Sequence, residues 1–401
     1  MMPEYAQNSA QTELPKAELS SPTWRVLMVS KACLVGAYQT KLEAIAQYPD
    51  IDLTVLVPPE WRDPAGTIRL EKAHIQGYRL IVDPMRWNGH FHIHYYPTLK
   101  KRIAELRPHI VHLDEEPYNL ATWLGWRLAR ASGAKTLFFS WQNLYNRYPF
   151  PFNLMEKQVL AGVDYAILGN AAAAEVWRRK GYTGPYQIIP QFGVRPDLFH
   201  PAPGPRPERP FTLGVVGRRI VPEKGVDLVL HAAANLTGDW LIRIAGEGPE
   251  QENLERLARQ LGIVERVRFD GVIPSTQMPE YLHCMDVVIL PSRTLPNWKE
   301  QYGRVLQEAM ACGLPVIGSD SGEIPHVIGQ AGLVFAESSV EQLQAHLQAL
   351  LANPALRQQL GQRGRERVLA HYTQAQIAAK TVTVYRTLMH APHPVTQRAL
   401  D

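Results

Sequence analysis

The 401-residue chain predicts an α/β protein of two doubly wound, Rossmann-like domains facing one another across a cleft. Three observations carry that expectation. The chain is longer than one ordinary core organises. Each half repeats one rhythm, in which apolar runs of strand length are separated by stretches of helical period. Between the halves lies PAPGPRPERP, residues 201–210, in which five of ten residues are proline. Such a stretch excludes helix and central strand and reads as a semi-rigid linker.

The elements follow in order. Residues 1–22, MMPEYAQNSAQTELPKAELSSP, are polar and lack an apolar centre, so they read as a disordered tail and not as a signal peptide. The first domain, 23–200, opens with WRVLMVS (24–30) and the helical pattern YQTKLEAIAQY. The apolar runs DLTVLVP, HIVHLD (109–114), TLFFSW (136–141) and YAILGN (165–170) follow, with helical stretches such as LKKRIAEL and NLATWLGWRLARAS between them. The second domain, 211–370, opens with FTLGVVG (211–217) and a helix around VDLVLHAAANL, then LIRIAG, VRFDGV, VVILP and PVIGSD. Strands alternating with helices imply parallel sheets covered on both faces. Ligands then belong at the carboxyl ends of the strands, in the cleft between domains.

Composition narrows the class. With 45% hydrophobic and 20% charged residues the chain is of globular type. No apolar run approaches the roughly 20 residues of a membrane span. Cys33, Cys284 and Cys312 are scattered and odd in number, which fits a reducing cytoplasm and no disulfide framework. The net charge of +4 lies in residues 1–205, where 22 Lys and Arg meet 18 Asp and Glu; the remainder balances at 20 and 20. That excess is too small for a nucleic-acid partner. It suits ordinary surface charge, or weak attraction to an anionic membrane surface or substrate.

The strand ends of the second domain concentrate the chemistry. After FTLGVVG comes RRIVPEKG, with Arg218, Arg219 and Lys224 between Gly217 and Gly225. A planar fork and a point charge together suit a diphosphate. After LIRIAG comes EGPE, carrying Glu247 and Gly248. After VVILP comes SRTLPNWKEQYGRVLQEAMACG, in which Glu300 and Glu308 have seven residues between them. Gly303 at the helix start lets a ligand approach the backbone, where free amides and the positive dipole end favour phosphate. Carboxylates there accept bonds from vicinal sugar hydroxyls. Taken singly, each of these residues reads first as a solvated loop cation or a surface acid; placed together at strand ends they imply a nucleotide sugar.

RRIVPEKG, GEGP, FDGVIP and the E-x7-E set followed by EAMACGLPVIGSDSGEIPHVIG resemble glycosyltransferase family 4, the retaining group 1 enzymes of GT-B fold. IIPQFGVRPDLF (188–199) resembles the stretch that closes the first domain there. The resemblance implies metal-independent transfer of a sugar from a UDP- or GDP-linked donor to a glycan, lipid or small-molecule acceptor, without a cofactor. It implies that Arg218 and Lys224 hold the diphosphate and stabilise the leaving group, that Glu300 contacts the transferred sugar, and that Glu308 takes the ribose. The backbone of Gly303, Arg304 and Val305 corresponds to the phosphate-binding turn. Gly217, Gly246, Glu247 and Gly248 lie beside the nucleotide, and Gly271, Val272 and Ile273 near its base. The loop Lys31 to Ala37, with Gly36, corresponds to the one near the reaction centre. The resemblance also implies that the chain from about residue 373 returns to the first domain, whose loops hold the acceptor. The cysteine usage fits a cytoplasmic protein, and the charge excess and aromatic loops of the first domain are compatible with peripheral contact at the inner face of a membrane.

The chain departs from the family at several points. Gln301 and Tyr302 stand where Gly and Phe are usual, Arg304 replaces a leucine, Arg195 an aspartate and His326 a glutamate. Where a histidine often ends the strand TLFFSW, this chain has Trp141, and Gln142 or Asn143 could supply the sugar contact. Glu115, in Asp114-Glu115-Glu116, could bind acceptor hydroxyls, or be part of a solvated acidic turn. Asp50-Ile51-Asp52 reads as a turn entering a strand and not a metal motif. His90, His92 and His94 would share a face on a strand and could bind zinc, but lack the usual further ligands. A nonhydrolysing sugar-nucleotide epimerase and a catalytically silent sugar-nucleotide-binding relative are the rival readings.

Overall fold

The computed structural model describes residues 23–63, 66–204 and 208–390; the tail expected at 1–22 lies outside them. The first domain contains β1 (Trp24–Val29), β2 (Ile51–Val57), β3 (Glu60–Asp63), β4 (Gly66–Arg69), β5 (Arg79–Val82), β6 (Ile110–Leu113), β7 (Lys135–Ser140), β8 (Tyr165–Leu168) and β9 (Tyr186–Ile188). The second contains β10 (Phe211–Arg219), β11 (Trp240–Glu247), β12 (Val267–Gly271), β13 (Val287–Leu290), β14 (Val316–Ser319) and β15 (Leu333–Phe335). The first sheet runs β5-β2-β1-β6-β7-β8-β9, and the second β12-β11-β10-β13-β14-β15. Both are parallel throughout. In each sheet the strand order reverses direction beside the first strand, at β1/β6 and at β10/β13, and a crevice opens there at the carboxyl ends. The two domains form the GT-B architecture.

Central strands β6 and β13 are buried along their whole length. This is why they read as unbroken apolar runs and not as alternating ones. The hairpin β3–β4 is the antiparallel exception, built from the aromatic and charged stretch that follows β2.

The helix Gln374–His390 crosses back and completes the first domain. Ile377, Ala378, Val382, Val384, Tyr385 and Leu388 join one apolar cluster with Trp24, Val26, Leu42, Ile45 and Val55. Tyr385 Oη bonds His112 Nδ1 on β6 at 2.8 Å, and Arg386 clasps Asp50 with two bonds of 2.8 Å. The preceding helix, Pro354–His371, stays with the second domain, where Val368 packs with Met310 and Val327. The long helical stretch of the sequence is thus two helices with separate loyalties, broken at Tyr372–Thr373.

The first crossing lies earlier than the proline-rich stretch. Val194 and Phe199 already belong to the core of the second domain, and His200 O accepts a bond from His283 Nε2 at 2.7 Å. The two crossings meet: Val194 N donates to Tyr372 O at 2.8 Å, and Gln374 N to Val194 O at 3.1 Å. This paired backbone is the hinge between domains.

Candidate functional site

Lys224 is placed by the turn after β10. Residues Pro222–Lys224 form a single 3-10 turn, closed by Gly225 in the left-handed conformation. Arg293, past the end of β13, donates its amide to Glu223 O at 2.8 Å and forks onto Asp227 with two 2.7 Å bonds. These ties lock the turn against the loop of the neighbouring strand. The Lys224 ammonium lies 4.7 Å from the centroid of Trp298 and reaches Glu300 Oε2 at 2.8 Å.

Glu300 receives two further bonds, from Ser292 Oγ at 3.1 Å and from the amide of Gly303 at 3.4 Å. Burial alone lifts a carboxyl, but Lys224, Ser292 and the Gly303 amide more than offset it, so Glu300 sits below the ordinary carboxylate range. Gly303 takes φ of +68°, a left-handed cap that opens the helix Arg304–Ala311. Glu308, one turn in, is buried and accepts from Arg304 Nε at 2.7 Å. Burial pushes its carboxyl up, and Arg304 offsets only part of that.

Arg218 is exposed at the end of β10 and makes no ion pair among the described residues. The β10 and β11 turns are pressed together: Ile220 N donates to Glu247 O at 2.8 Å. A Cβ on Gly246, whose φ is +130°, would collide with the Gly217 carbonyl. Gly217, Arg218, Gly246, Glu247 and Gly248 therefore share one rim. Val272 is exposed and Ile273 half-buried beyond it. Gly36 lies across the cleft, its amide donating to Glu71 Oε2 at 2.7 Å.

The segment ahead of the helix bridges the domains. Asn143 Nδ2 donates to Lys299 O and Glu300 O, both at 3.2 Å. Asn170 Nδ2 donates to Gln301 O at 2.9 Å, Gln301 Nε2 to Trp141 O at 3.2 Å, and Tyr302 Oη to Phe192 O at 2.7 Å. Arg304 Nη1 reaches Tyr38 Oη at 3.2 Å. The two candidate histidine replacements thus differ. Asn143 spends its amide on the backbone at Glu300, whereas Gln142 donates to Leu144 O and keeps a buried Oε1 without a partner.

On the first-domain face, Glu115 is buried beside Lys31, which bonds it directly, and His94 Nε2 lies 3.5 Å away. Burial works against the charge, but Lys31 and His94 hold the Glu115 carboxyl at about 2. The next residue does the opposite. Glu116 accepts from Ser140 Oγ at 2.6 Å and Trp141 N at 2.8 Å, yet burial pushes it up to about 7. Asp114 accepts from Ser30 Oγ at 2.6 Å and Gln191 Nε2 at 3.0 Å. Asp114 and Glu115 are buried, Glu116 is half-buried, and all three are bonded, so the triplet is not a solvated turn.

The histidines are not on a strand. Residues 88–94 form turns, with His90 exposed, His92 half-buried and His94 buried. Asp50 is committed to Arg386. Among the described residues no group of three or more His, Cys, Asp or Glu is placed to hold a metal ion. None of the described helices is long and apolar enough to cross a membrane.

Residues 199–367 match the family model for glycosyl transferases group 1. The match covers the second domain. A GDP-mannose-dependent alpha-(1-6)-phosphatidylinositol monomannoside mannosyltransferase of Mycolicibacterium smegmatis is 33% identical over 194 residues, 45% of this chain and 51% of the relative. An MMP alpha-(1->4)-mannosyltransferase of Mycolicibacterium hassiacum is 28% identical over 255 residues, 61% of this chain and 59% of the relative. The chain thus spans about half the length of the curated relatives it matches. Among solved structures, sucrose-phosphate synthase of Thermosynechococcus elongatus has a TM-score of 0.69 at 21% identity, covering 92% of this chain and all of that one. HepE of Anabaena, in complex with UDP, has 0.70 at 16%, covering 91% of this chain and all of that one. These two likenesses are of fold.

Sequence reasoning missed Ser292, Asn170 and Tyr38, and considered His94 only as a possible zinc ligand. Asn170, His94 and Tyr38 meet their partners across the fold or across the cleft, so no spacing marks them, whereas Ser292 serves Glu300 eight residues further along one loop. The Asn closing YAILGN was the one visible signal, because a helix start favours Asn; its Oδ1 does cap Ala173 N at 2.7 Å while its amide serves the other domain.

Proposed function

We propose that the protein is a retaining glycosyltransferase that moves a hexosyl group from a UDP- or GDP-linked donor to a glycan, lipid or small-molecule acceptor without a metal or other cofactor. The observation that carries this is the Lys224–Glu300 contact at the start of a helix, at the carboxyl end of β13. A diphosphate and its sugar need such a cation, such a carboxylate and such free amides side by side.

In this reading the diphosphate meets Lys224, Arg218 and the amides around Gly303, while sugar hydroxyls take Glu300 and ribose hydroxyls take Glu308. As the bond from the sugar carbon to phosphate oxygen breaks, negative charge grows on the phosphate. Lys224 and Arg218 are already in place for it, so the charge is stabilised without reorganisation. The acceptor oxygen bonds the same face of the sugar, and its proton passes to the leaving phosphate. Glu115 is too weak a base to take that proton, since Lys31 and His94 hold it ionised far below neutrality; its role is to accept a hydrogen bond from the acceptor. Relatives named as GDP-mannose-dependent place GDP-mannose first among the donors to try. Activity on the inner face of a membrane, through the first domain, belongs to the same proposal.

The test is a screen of UDP-, GDP- and ADP-sugars by thermal shift, then transfer assays with EDTA present. We expect one donor to raise Tm, transfer to survive EDTA, and the product to keep the donor's anomeric configuration. Binding without transfer to any acceptor would favour a silent relative. Full dependence on added manganese would overturn the role given to Lys224 and Arg218.

A further inference from the structure

Glu308 is linked to the hinge by an unbroken run of side chains. Arg304 Nε bonds Glu308 Oε1 at 2.7 Å, and its Nη1 crosses the cleft to Tyr38 Oη at 3.2 Å. The guanidinium also lies 5.4 Å from the centroid of the Tyr38 ring. Tyr38 stacks on Phe192, with centroids 3.7 Å apart and planes inclined by 14°. Phe192 is followed by Gly193 and Val194, which lie on the first of the two crossings that pair at the hinge. Gly193 O accepts from Gln374 Nε2 at 3.0 Å, and Val194 pairs with Tyr372 and Gln374. A Cβ on Gly193 would strike the backbone of Tyr372–Gln374, so the two crossings cannot shift independently.

We infer that Arg304 is a positioning residue that couples occupancy of the nucleotide site to the hinge, by exchanging Glu308 between Tyr38-bound Arg304 and a ligand's vicinal hydroxyls. This rests on the donor reading above, in which Glu308 meets the ribose. Glu308 Oε1 already accepts from Arg304. A diol bonding that carboxylate competes for it, loosens the guanidinium, and with it the Tyr38 contact and the Tyr38–Phe192 stack beside the hinge. A ligand shifts a conformational balance only through a contact that differs between the two states; here that contact is the Arg304–Glu308–Tyr38 set. Coupling is reciprocal. Weakening the Tyr38 end therefore makes the carboxylate easier for a nucleotide to take.

Tyr38→Phe is the clean probe. It deletes the hydroxyl that accepts from Arg304, keeps the ring on Phe192, and leaves Glu308 its cation. Loss of a hydrogen bond to a charged group shifts an equilibrium by about tenfold at the lower end of its usual range, the end that suits a 3.2 Å contact. Titration calorimetry with UDP and with GDP should show the full-length variant binding its nucleotide about fivefold to tenfold more tightly than wild type. Hydrogen exchange should show a second effect that a merely structural contact does not produce. Nucleotide should change exchange at 190–195 and 372–376 in wild type, and change it far less in Tyr38→Phe. Equal or weaker nucleotide binding by Tyr38→Phe, or an unaltered exchange response, overturns the coupling while leaving the donor site standing. Failure of wild type to bind either nucleotide overturns the donor reading, and the coupling falls with it.

Discussion

The two domains share a topology but not a way of building their half of the cleft. In the second domain the chemistry sits on turns that immediately follow strands, and partners are joined by locally braced loops: Lys224 and Glu300 meet because β10 and β13 are neighbours. In the first domain the corresponding corner joins Lys31, His94 and Glu115, from three separate loops. Its core is finished by a helix from the far end of the chain. The comparison teaches that a site made of short, ordered segments leaves a mark in sequence, whereas one assembled from distant single residues does not.

The most forceful way to break that contrast is to truncate the chain after Thr373. This strips Ile377, Val382, Val384, Tyr385 and Leu388 from the first-domain core. At roughly 1.5–3 kcal/mol per buried large side chain, the loss is about 10 kcal/mol, as much as a whole domain's stability. Hydrogen exchange should rise across 24–190 while 211–350 stays protected. A rise confined to the second domain would mean that the helix supports the wrong half in our account.

A smaller effect is expected at Lys31→Met. Glu115 is 3% exposed, and without its cation it is left as a buried charge beside His94. Removing one partner of such a pair typically costs about 3–5 kcal/mol, to be read as a lowered denaturant midpoint. An unchanged midpoint would mean that this corner is solvated after all.

Glu115 and Glu116 sharpen the same point through pH. Glu115 titrates near 2 against an ordinary 4.5, so its contribution is present above 4.5 and lost as pH falls toward 2. Glu116 titrates near 7, so its contribution is present below 4.5 and lost as pH rises toward 7. By the linkage relation the Glu116 effect is about 3 kcal/mol over that window. Glu116→Gln should abolish that fall of stability between pH 4.5 and 7, whatever its effect on absolute stability. A slope equal to wild type would place the titrating group elsewhere.

Legibility in the sequence divides along the same line. Both sheets were visible as apolar runs, since parallel strands buried on two faces need no alternation. Lys224, Glu300, Gly303 and Glu308 could be picked out because glycine, cation and acid recur at strand ends, where the topology itself gathers them. The first crossing was misplaced to the prolines because proline marks stiffness, not the point where packing changes sides; Val194 and Phe199 look like any apolar residues until their neighbours are known. Arg304 stood out as a departure, but its bond to Tyr38 joins residues 266 positions apart in sequence, one on each domain. The histidines suggested a strand by alternation alone, although the glycine-bearing turn before them favours an irregular loop.

The central claim is that Lys224 and Arg218 act on a donor diphosphate. It is tested most directly by measuring sugar transfer and donor binding together for Lys224→Ala and Arg218→Ala, with EDTA present throughout. Each variant should lose transfer by about a hundredfold to a thousandfold, with a much smaller loss of ground-state binding, because the charges matter most as the glycosyl bond breaks. Near-normal turnover in both variants would contradict it.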